Sequence, residues 1–121
     1  MNKWQALDTF WNSFGIPAYD ESSVPQDATM PYITYSVAVS GFEDVVFLSA
    51  SVWYRDTKWR EISLKVDQIS QRLETNKLIK IDGEQYLFLS KGSPFAQRML
   101  DNDDSVRRVY INVSAEYFSR N

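Results

Sequence analysis

The fold of this chain is decided by residues 49–73, which read SASVWYRDTKWREISLKVDQISQRL. Residues 52–54 are typical of a strand, and Asp56 or Thr57 offers a side-chain oxygen to cap the helix that follows. The apolar residues then recur in steps of three and four: Trp59, Ile62, Val66, Ile69 and Leu73. This spacing predicts an amphipathic helix over residues 57–75. Such a one-sided helix needs an apolar surface to lie on, and we interpret the rest of the chain as the sheet that provides it.

The length and composition of the chain limit the kinds of protein that it can be. A chain of 121 residues with 44% hydrophobic and 24% charged residues is expected to form one globular domain over residues 1–121. No apolar run reaches the roughly 18–20 residues that cross a bilayer, and the first residues lack the apolar core of a secretory signal. The chain contains no cysteine, which excludes disulfides and thiolate sites and favours a protein that folds in a reducing cytoplasm.

Charge and side-chain chemistry narrow the function classes further. A net charge of −3 argues against a dedicated nucleic-acid binder, which is normally basic. The absence of histidine removes the commonest general base and the commonest metal ligand together. Aromatic residues make up 15% of the chain, which suits either an aromatic-rich core or contacts between proteins, where aromatics are enriched.

The N-terminal part of the chain predicts a helix and a long loop. The helix covers residues 2–14, with Asn2 and Gln5 as a capping box and Gly15 as the residue that ends it. Residues 16–31 contain three prolines and are predicted to form a loop. This loop is either functional or a passive wrap across the sheet edge.

The remaining elements are strands, recognised by alternating apolar and polar residues. Five strands are predicted: residues 32–40, 45–54, 78–81, 86–90 and 106–118. Asp82-Gly83 predicts a hairpin turn, Asn76 a left-handed end to the second helix, and Ser93-Pro94 a short helical turn before the last strand. The order α-β-β-α-β-β-β predicts an α+β domain whose mostly antiparallel or mixed five-stranded sheet carries two main helices on one face.

The search for catalytic or ligand-binding residues predicts no enzyme. The chain has no nucleophile–histidine pair, no GxGxxG and no phosphate loop. The acidic run 101–104 lacks the glycine and the distal glutamate of a calcium loop, so a solvated turn is favoured over a metal site. The carboxylate pairs 20–21 and 43–44 are interpreted as solvated charge. Trp59 beside two cations is interpreted as core, with nucleic-acid stacking as the alternative. No catalytic, cofactor-binding or metal-binding residue is therefore predicted.

Four aromatic residues are predicted to lie at a subunit interface. Phe42 lies at the predicted tip of the first hairpin and Phe47 lies early in the next strand. Tyr110 and Phe118 lie on the face of the last strand that is opposite its apolar face. If that face is exposed in a lone subunit, these aromatics are candidates for contacts between subunits. The alternative is a second layer, formed over the same face by the loop of residues 16–31.

The order of these elements resembles a known family. Five short stretches carry the resemblance: MPYITYS at residues 30–36, VWYRD at 52–56, VDQI at 66–69, PF at 94–95 and RRVYIN at 107–112. Together they are similar to the small tail-completion or tail-terminator proteins of long-tailed bacteriophages and to related head–tail joining proteins. The resemblance covers nearly the whole chain and rests on the order and spacing of these stretches.

The resemblance implies a structural role without enzymatic activity or cofactors. Proteins of this family form a ring, commonly a hexamer, at the head-proximal end of the tail tube, where they stop tube growth and join the tail to the head connector. It implies a virion protein, assembled in the bacterial host cytoplasm, with the tube protein and the connector as partners and DNA passing through the channel without sequence recognition. The alternatives are a head-completion or neck protein, and a small accessory module that binds a host protein or a nucleic acid.

Overall fold

The computed structural model describes residues 2–37 and 45–119. Helix α1 spans Lys3–Trp11 and continues as a 3-10 turn over Asn12–Phe14, and helix α2 spans Arg60–Thr75. The strands are β1 Ala18–Asp20, β2 Tyr32–Tyr35, β3 Val45–Arg55, β4 Leu78–Asp82, β5 Gln85–Met99 and β6 Val106–Ser119.

The strands form one mixed sheet in the order β1-β2-β3-β6-β5-β4. Among the described strands only the β1–β2 pair is parallel, and the β2–β3 pairing is antiparallel as predicted. The prediction of five strands was wrong by one, because part of the predicted loop 16–31 forms the edge strand β1. Its backbone is held at both ends, by Ile33 N–H donating to the Pro17 carbonyl at 2.9 Å and Glu21 N–H donating to the Tyr35 carbonyl at 2.9 Å.

The predicted helical turn at Ser93-Pro94 was also wrong. β5 runs through this dipeptide, and a register shift between Lys91 and Ala96 absorbs the proline, which has no N–H to donate. Asn112 of β6 donates from its side-chain amide to the Pro94 carbonyl at 3.1 Å. β4 pairs with β5 no further than Phe88, so Pro94 lies where β5 has no strand on its other side among the described residues.

The ends of the first helical segment agree with the prediction, whereas both ends of α2 differ from it. The capping box of Asn2 and Gln5 is confirmed, with both hydrogen bonds at 2.8 Å, and Gly15 ends the first helical segment with φ +84°. The predicted cap of α2 was wrong: the Asp56 carboxylate accepts from the Lys58 N–H at 3.0 Å, and α2 begins at Arg60 with no side-chain cap. Asn76 has φ −146°, so its predicted left-handed conformation was wrong as well.

Both helices pack on the same face of the sheet. In the central parts of β3 and β6 the residues that face the helices are buried, including Val52 and Ile111. The apolar stripe of α2 covers them, with Ile62, Ile69 and Leu73 fully buried. The rings of Phe10 and Trp11 meet edge to face at 4.9 Å beneath α1. The amphipathic helix predicted from the sequence and the surface it requires are therefore both present.

β5 and β6 approach each other closely at Gly92. A Cβ atom added there would lie 2.8 Å from the Asn112 Cβ and 2.9 Å from the Asn112 carbonyl oxygen. Because neighbouring backbone cannot easily move, Gly92→Ala is expected to lower the free energy of unfolding by about 1–3 kcal/mol, measured by urea denaturation. Ser90→Ala, two residues earlier in the same strand, is the control, and an unchanged urea midpoint for Gly92→Ala would contradict the close approach.

Candidate interaction surface

The sheet face opposite α1 and α2 is here called the open face. Because successive side chains of a strand point to opposite sides, this face carries the residues that alternate with the buried ones. Among its described large apolar residues Phe47 is the most exposed, at 80%. Among the described residues no layer packs over Phe47, so this part of the open face is a surface of the lone subunit.

One end of the open face is a row of four residues that we call the arginine row. The strand register places them side by side: Tyr32, Trp53, Arg108 and Met99. The Trp53 indole N–H donates to the Thr34 hydroxyl at 3.0 Å, which fixes the ring. The Arg108 guanidinium lies 4.6 Å from the centroid of that ring, and its Nε donates to the Ser51 hydroxyl at 3.0 Å. The arginine row is thus an apolar and aromatic strip with one oriented cation.

The other end is a second row, the glutamate row. Its members are adjacent across four strands: Val45, Glu116, Phe88 and Leu78. Its apolar side chains are exposed, Val45 by 55%, Leu78 by 47% and Phe88 by 36%. Tyr86 and Phe118 stack beside this row with ring centroids 5.7 Å apart. Exposed apolar side chains gathered in this way are typical of surfaces that bind other proteins.

Small polar residues separate the two rows. In β3 and β6 they are Ser49, Ser51, Asn112 and Ser114, with Ser90 next to Ser114 in β5. Tyr110 lies among them, between Ser51 and Gln97 of the neighbouring strands. The open face is therefore apolar at both ends, and its middle is polar, with short side chains apart from Tyr110 and Gln97.

Three of the four predicted interface residues lie on this face. Phe47 and Phe118 are at the glutamate-row end, and Tyr110 is in the polar middle. Phe42 lies outside the described residues. The interface role of all four stays a prediction, but the alternative of a covering layer disagrees with the exposure of Phe47.

Sequence reasoning missed most of the members of the two rows. Trp53 and Phe88 were assigned only to strands, whereas both lie on the open face. The sequence did contain a signal for their position: they alternate with the apolar residues Val52 and Leu87, so they lie on the opposite face of the sheet. Arg108 and Glu116 carried the same signal within β6, but their neighbours are in strands that are distant in sequence.

Trp59 belongs to the helix side of the sheet. The guanidinium groups of Arg98 and Arg107 lie 4.6 and 5.3 Å from its ring centroid, and Arg107 also donates to the Thr57 carbonyl at 2.6 Å. Trp59 is half-buried against the core, which favours the core interpretation over a free stacking platform. A groove of about 210 Å³ next to Arg98 has Val66 and Val109 among its lining residues.

The acidic run 101–104 forms a hydrogen-bonded turn. Asp101 accepts from the Asp103 N–H at 2.9 Å, and Asp103 in turn accepts from the N–H and the hydroxyl of Ser105 at 2.9 and 2.7 Å. These bonds from Ser105, with a smaller contribution from Arg55 at 3.4 Å, lower the pKa of Asp103. Across residues 2–37 and 45–119, no group of three or more acidic, histidine or cysteine residues is arranged to hold a metal ion.

In the described part of the chain, no helix is long and apolar enough to cross a bilayer.

The chain was compared with known proteins. No family model matches it, and no curated protein matches it. A chain in a solved structure described as "Virion of native gene transfer agent (GTA) particle" is similar to it, with a TM-score of 0.65 and 19% sequence identity. The likeness covers 94% of this chain and 90% of that chain. At this level of identity the comparison shows a shared fold over nearly the full length of both chains.

Proposed function

We propose that this protein is a non-enzymatic structural subunit of a phage-type virion. In finer detail, it is a tail terminator: it forms a ring at the head-proximal end of the tail tube, stops tube growth and joins the tail to the head connector. The tube protein and the connector are its partners, and DNA passes through the ring without sequence recognition.

The observation that carries this proposal is the open face. A lone subunit leaves Phe47 80% exposed, together with Val45 and Leu78 of the glutamate row. Contiguous exposed apolar side chains of this kind mark sites of contact with other proteins. The full-length likeness to a chain of a gene transfer agent virion supports an assembly of this kind.

A ring follows when one surface of each copy binds a different surface of the next copy and the rotation closes. We assign Phe47, Tyr110 and Phe118 to this contact and expect six copies in the ring. The net charge of −3 gives each subunit little attraction for phosphate, which suits a channel through which DNA slides. A head-completion or neck protein would use the same open face, and it is the second candidate because the exposed face does not specify which virion partner covers it.

Phe47→Glu is expected to abolish the capping of tail tubes. The substitution places a charge where the proposed interface excludes water, while the side chain contributes little to the fold because it is 80% exposed. Purified protein is added to growing tubes of the cognate tube subunit, and tube lengths are measured by negative-stain electron microscopy. Wild type is expected to give a narrow length distribution with a ring at one end.

Leu64→Glu is the matched control, because Leu64 is 51% exposed on α2, away from the open face. It is expected to cap tubes like wild type, and Phe118→Glu to fail like Phe47→Glu. The proposal is wrong if Phe47→Glu caps normally, or if the wild-type protein neither caps tubes nor co-purifies with tails. Rings on the head connector in the absence of tails would select the neck-protein candidate.

A further inference from the structure

We propose that the exposed edge of β5 is a strand-addition site that binds an extended acidic segment of another protein. β4 pairs with β5 only as far as Phe88, and a bond from the Leu89 N–H to the Lys77 carbonyl at 2.9 Å closes this pairing. β5 continues to Met99, and its last part pairs with β6 alone among the described strands. We call residues 95–99 the free edge. This inference goes beyond the proposed function and does not depend on it, because it concerns a sheet edge and not the open face.

The backbone groups that the free edge presents follow from the alternation of an antiparallel sheet. Because the Leu89 N–H faces β4, the residues next to it in β5 bond to even-numbered residues of β6. The alternation continues along β6, whose even-numbered residues are also the partners of Gln97 and Met99. The N–H and C=O groups of Ala96 and Arg98 therefore point away from β6. In the described part of the chain no hydrogen bond reaches these four groups, so they are available to a further strand.

The opposite edge of the sheet is closed to such an addition. β1 is three residues long, and the Asn12 side chain accepts from the Ala18 N–H at 3.0 Å and donates to the Ala18 carbonyl at 3.3 Å. The Ser23 N–H donates to the Asp20 carbonyl at 2.9 Å. Proteins commonly protect their sheet edges in this manner, because unpaired edges attract other strands. The free edge of β5 has no equivalent cover among the described residues.

A groove lies between α2 and the free edge. Ser63, Val66 and Asp67 of α2 line it, together with residues 96–98 of β5 and Val109 of β6. Its volume is about 210 Å³, which exceeds the roughly 150 Å³ of a cavity that binds benzene. A strand added to β5 directs every second side chain to the helix side of the sheet. One aliphatic or aromatic side chain of such a strand can therefore enter the groove.

The charges at the groove favour an acidic occupant. Arg98 is exposed, and its guanidinium lies 4.6 Å from the centroid of the Trp59 ring. The Arg107 guanidinium lies 5.3 Å from the same centroid, and neither arginine forms an ion pair in the described part of the chain. Asp67 is the one carboxylate among the lining residues. A carboxylate placed two residues from the side chain in the groove lies on the same face of the added strand and can pair with Arg98.

Neither β1 nor the free edge of a second copy has this chemistry. The outer backbone groups of β1 are already bonded, as described above. The free edge carries Arg98 as its one charged residue, so pairing two free edges would bring like charges together. The site is therefore assigned to a different protein that contributes an extended segment. Main-chain hydrogen bonds supply affinity in such contacts, and pockets for alternate side chains supply specificity.

The test uses the fluorescein-labelled peptide Thr-Val-Thr-Glu-Thr-Val-Thr, whose valine and glutamate side chains lie on one face when it is extended. Its binding is measured by fluorescence anisotropy. Ala96→Pro removes an outward N–H and no bond to β6, so this variant is expected to fold and to bind at least about tenfold more weakly than wild type. Arg98→Glu is expected to weaken binding similarly and to prefer a peptide with lysine in place of glutamate. Lys80→Glu, the same change of charge on β4, is the control and is expected to bind like wild type.

Amide hydrogen exchange locates the contact on the sheet. In the free protein the amides of Gln97 and Met99 are expected to exchange slowly and those of Ala96 and Arg98 rapidly, and the peptide is expected to slow the second pair. A peptide methylated on its backbone nitrogens is expected not to bind. This comparison tests main-chain pairing without any change in the protein.

Three results would overturn the inference. They are no binding at about 1 mM peptide, equal binding to wild type and Ala96→Pro, and equal binding of the methylated and unmethylated peptides. A change in the oligomeric state of the protein alone on Ala96→Pro would assign the edge to a second copy and would also overturn it. Thermal unfolding shows that each variant is folded. No tail tube takes part in these measurements, so their outcome is separate from that of the capping assay.

Discussion

Ile111→Ala is expected to lower the free energy of unfolding by about 4–5 kcal/mol, the upper part of the range for such truncations. Ile111 is fully buried in β6, the strand with β3 on one side and β5 on the other. Its cross-strand neighbours are Ala50 and Ala96, so the core around it depends on the one large side chain. Alanine side chains cannot extend into the space that truncation leaves. The cavity therefore stays open, and the free energy of unfolding falls by the full amount that such a cavity causes.

Chemical denaturation with urea, followed by tryptophan fluorescence, measures this loss. Ile111→Val is the graded control, with an expected loss of about 0.5–1.5 kcal/mol. Leu64→Ala, on the exposed side of α2, should change stability by less than about 0.5 kcal/mol. A loss below about 2 kcal/mol for Ile111→Ala would show that neighbouring elements collapse into the site, contrary to the packing described.

Alkaline pH is expected to lower the free energy of unfolding, and this is the second large effect that we predict. Burial raises the pKa of Tyr117 to about 12, and burial together with the hydrogen bond to Asp8 raises that of Tyr35 further above its ordinary value. Burial, with a smaller contribution from Glu61, also raises the pKa of Tyr54. Above pH 10 the unfolded chain loses phenol protons that the folded chain keeps. The free energy of unfolding is therefore constant with respect to these groups below about pH 10 and falls as pH rises beyond it.

Tyr117→Phe isolates one contribution to this pH dependence. The Tyr117 hydroxyl is buried and has no hydrogen-bond partner among the described residues, so its removal leaves no polar group unpaired. The variant is expected to be at least as stable as wild type at pH 7 and to lose less stability between pH 10 and pH 12. Urea unfolding at a series of pH values measures both quantities. Identical pH profiles for the two proteins would contradict the assignment to Tyr117.

Sequence patterns correctly predicted the elements whose structure depends on residues that are close together in the chain. The steps of three and four in α2, the Asn2–Gln5 capping box and the hairpin at Asp82-Gly83 all depend on residues close together in the chain. The errors lie where distant residues decide. Ser93-Pro94 looked like a helix start, but β6 pairs with β5 on both sides of it and keeps the segment extended.

The residues of the open face were predictable only in part for the same reason. Alternation within β6 placed Tyr110 and Phe118 on the open face. The two rows, however, bring together residues of strands that are far apart in sequence. Glu116, for example, lies between Val45 and Phe88. The alternation in a single sequence indicates which face of the sheet a residue lies on. Which residues lie beside it in the neighbouring strands depends on the order of the strands in the sheet. For β3 and β6 that order is set by pairing across roughly fifty to seventy residues.

The position of β6 in the sheet has a consequence for synthesis on the ribosome. Residues 106–119 join the β2–β3 pair to the β4–β5 pair, and they leave the ribosome after both. Until then the nascent chain holds two hairpin-like halves, each with an apolar face and no shared core, and such pairs are marginal in water. Closing the sheet also requires joining segments that are far apart in sequence, which slows folding. A chain interrupted before residue 106 therefore lacks the strand that completes the sheet, so its two halves keep their apolar faces exposed and it is a substrate for proteases.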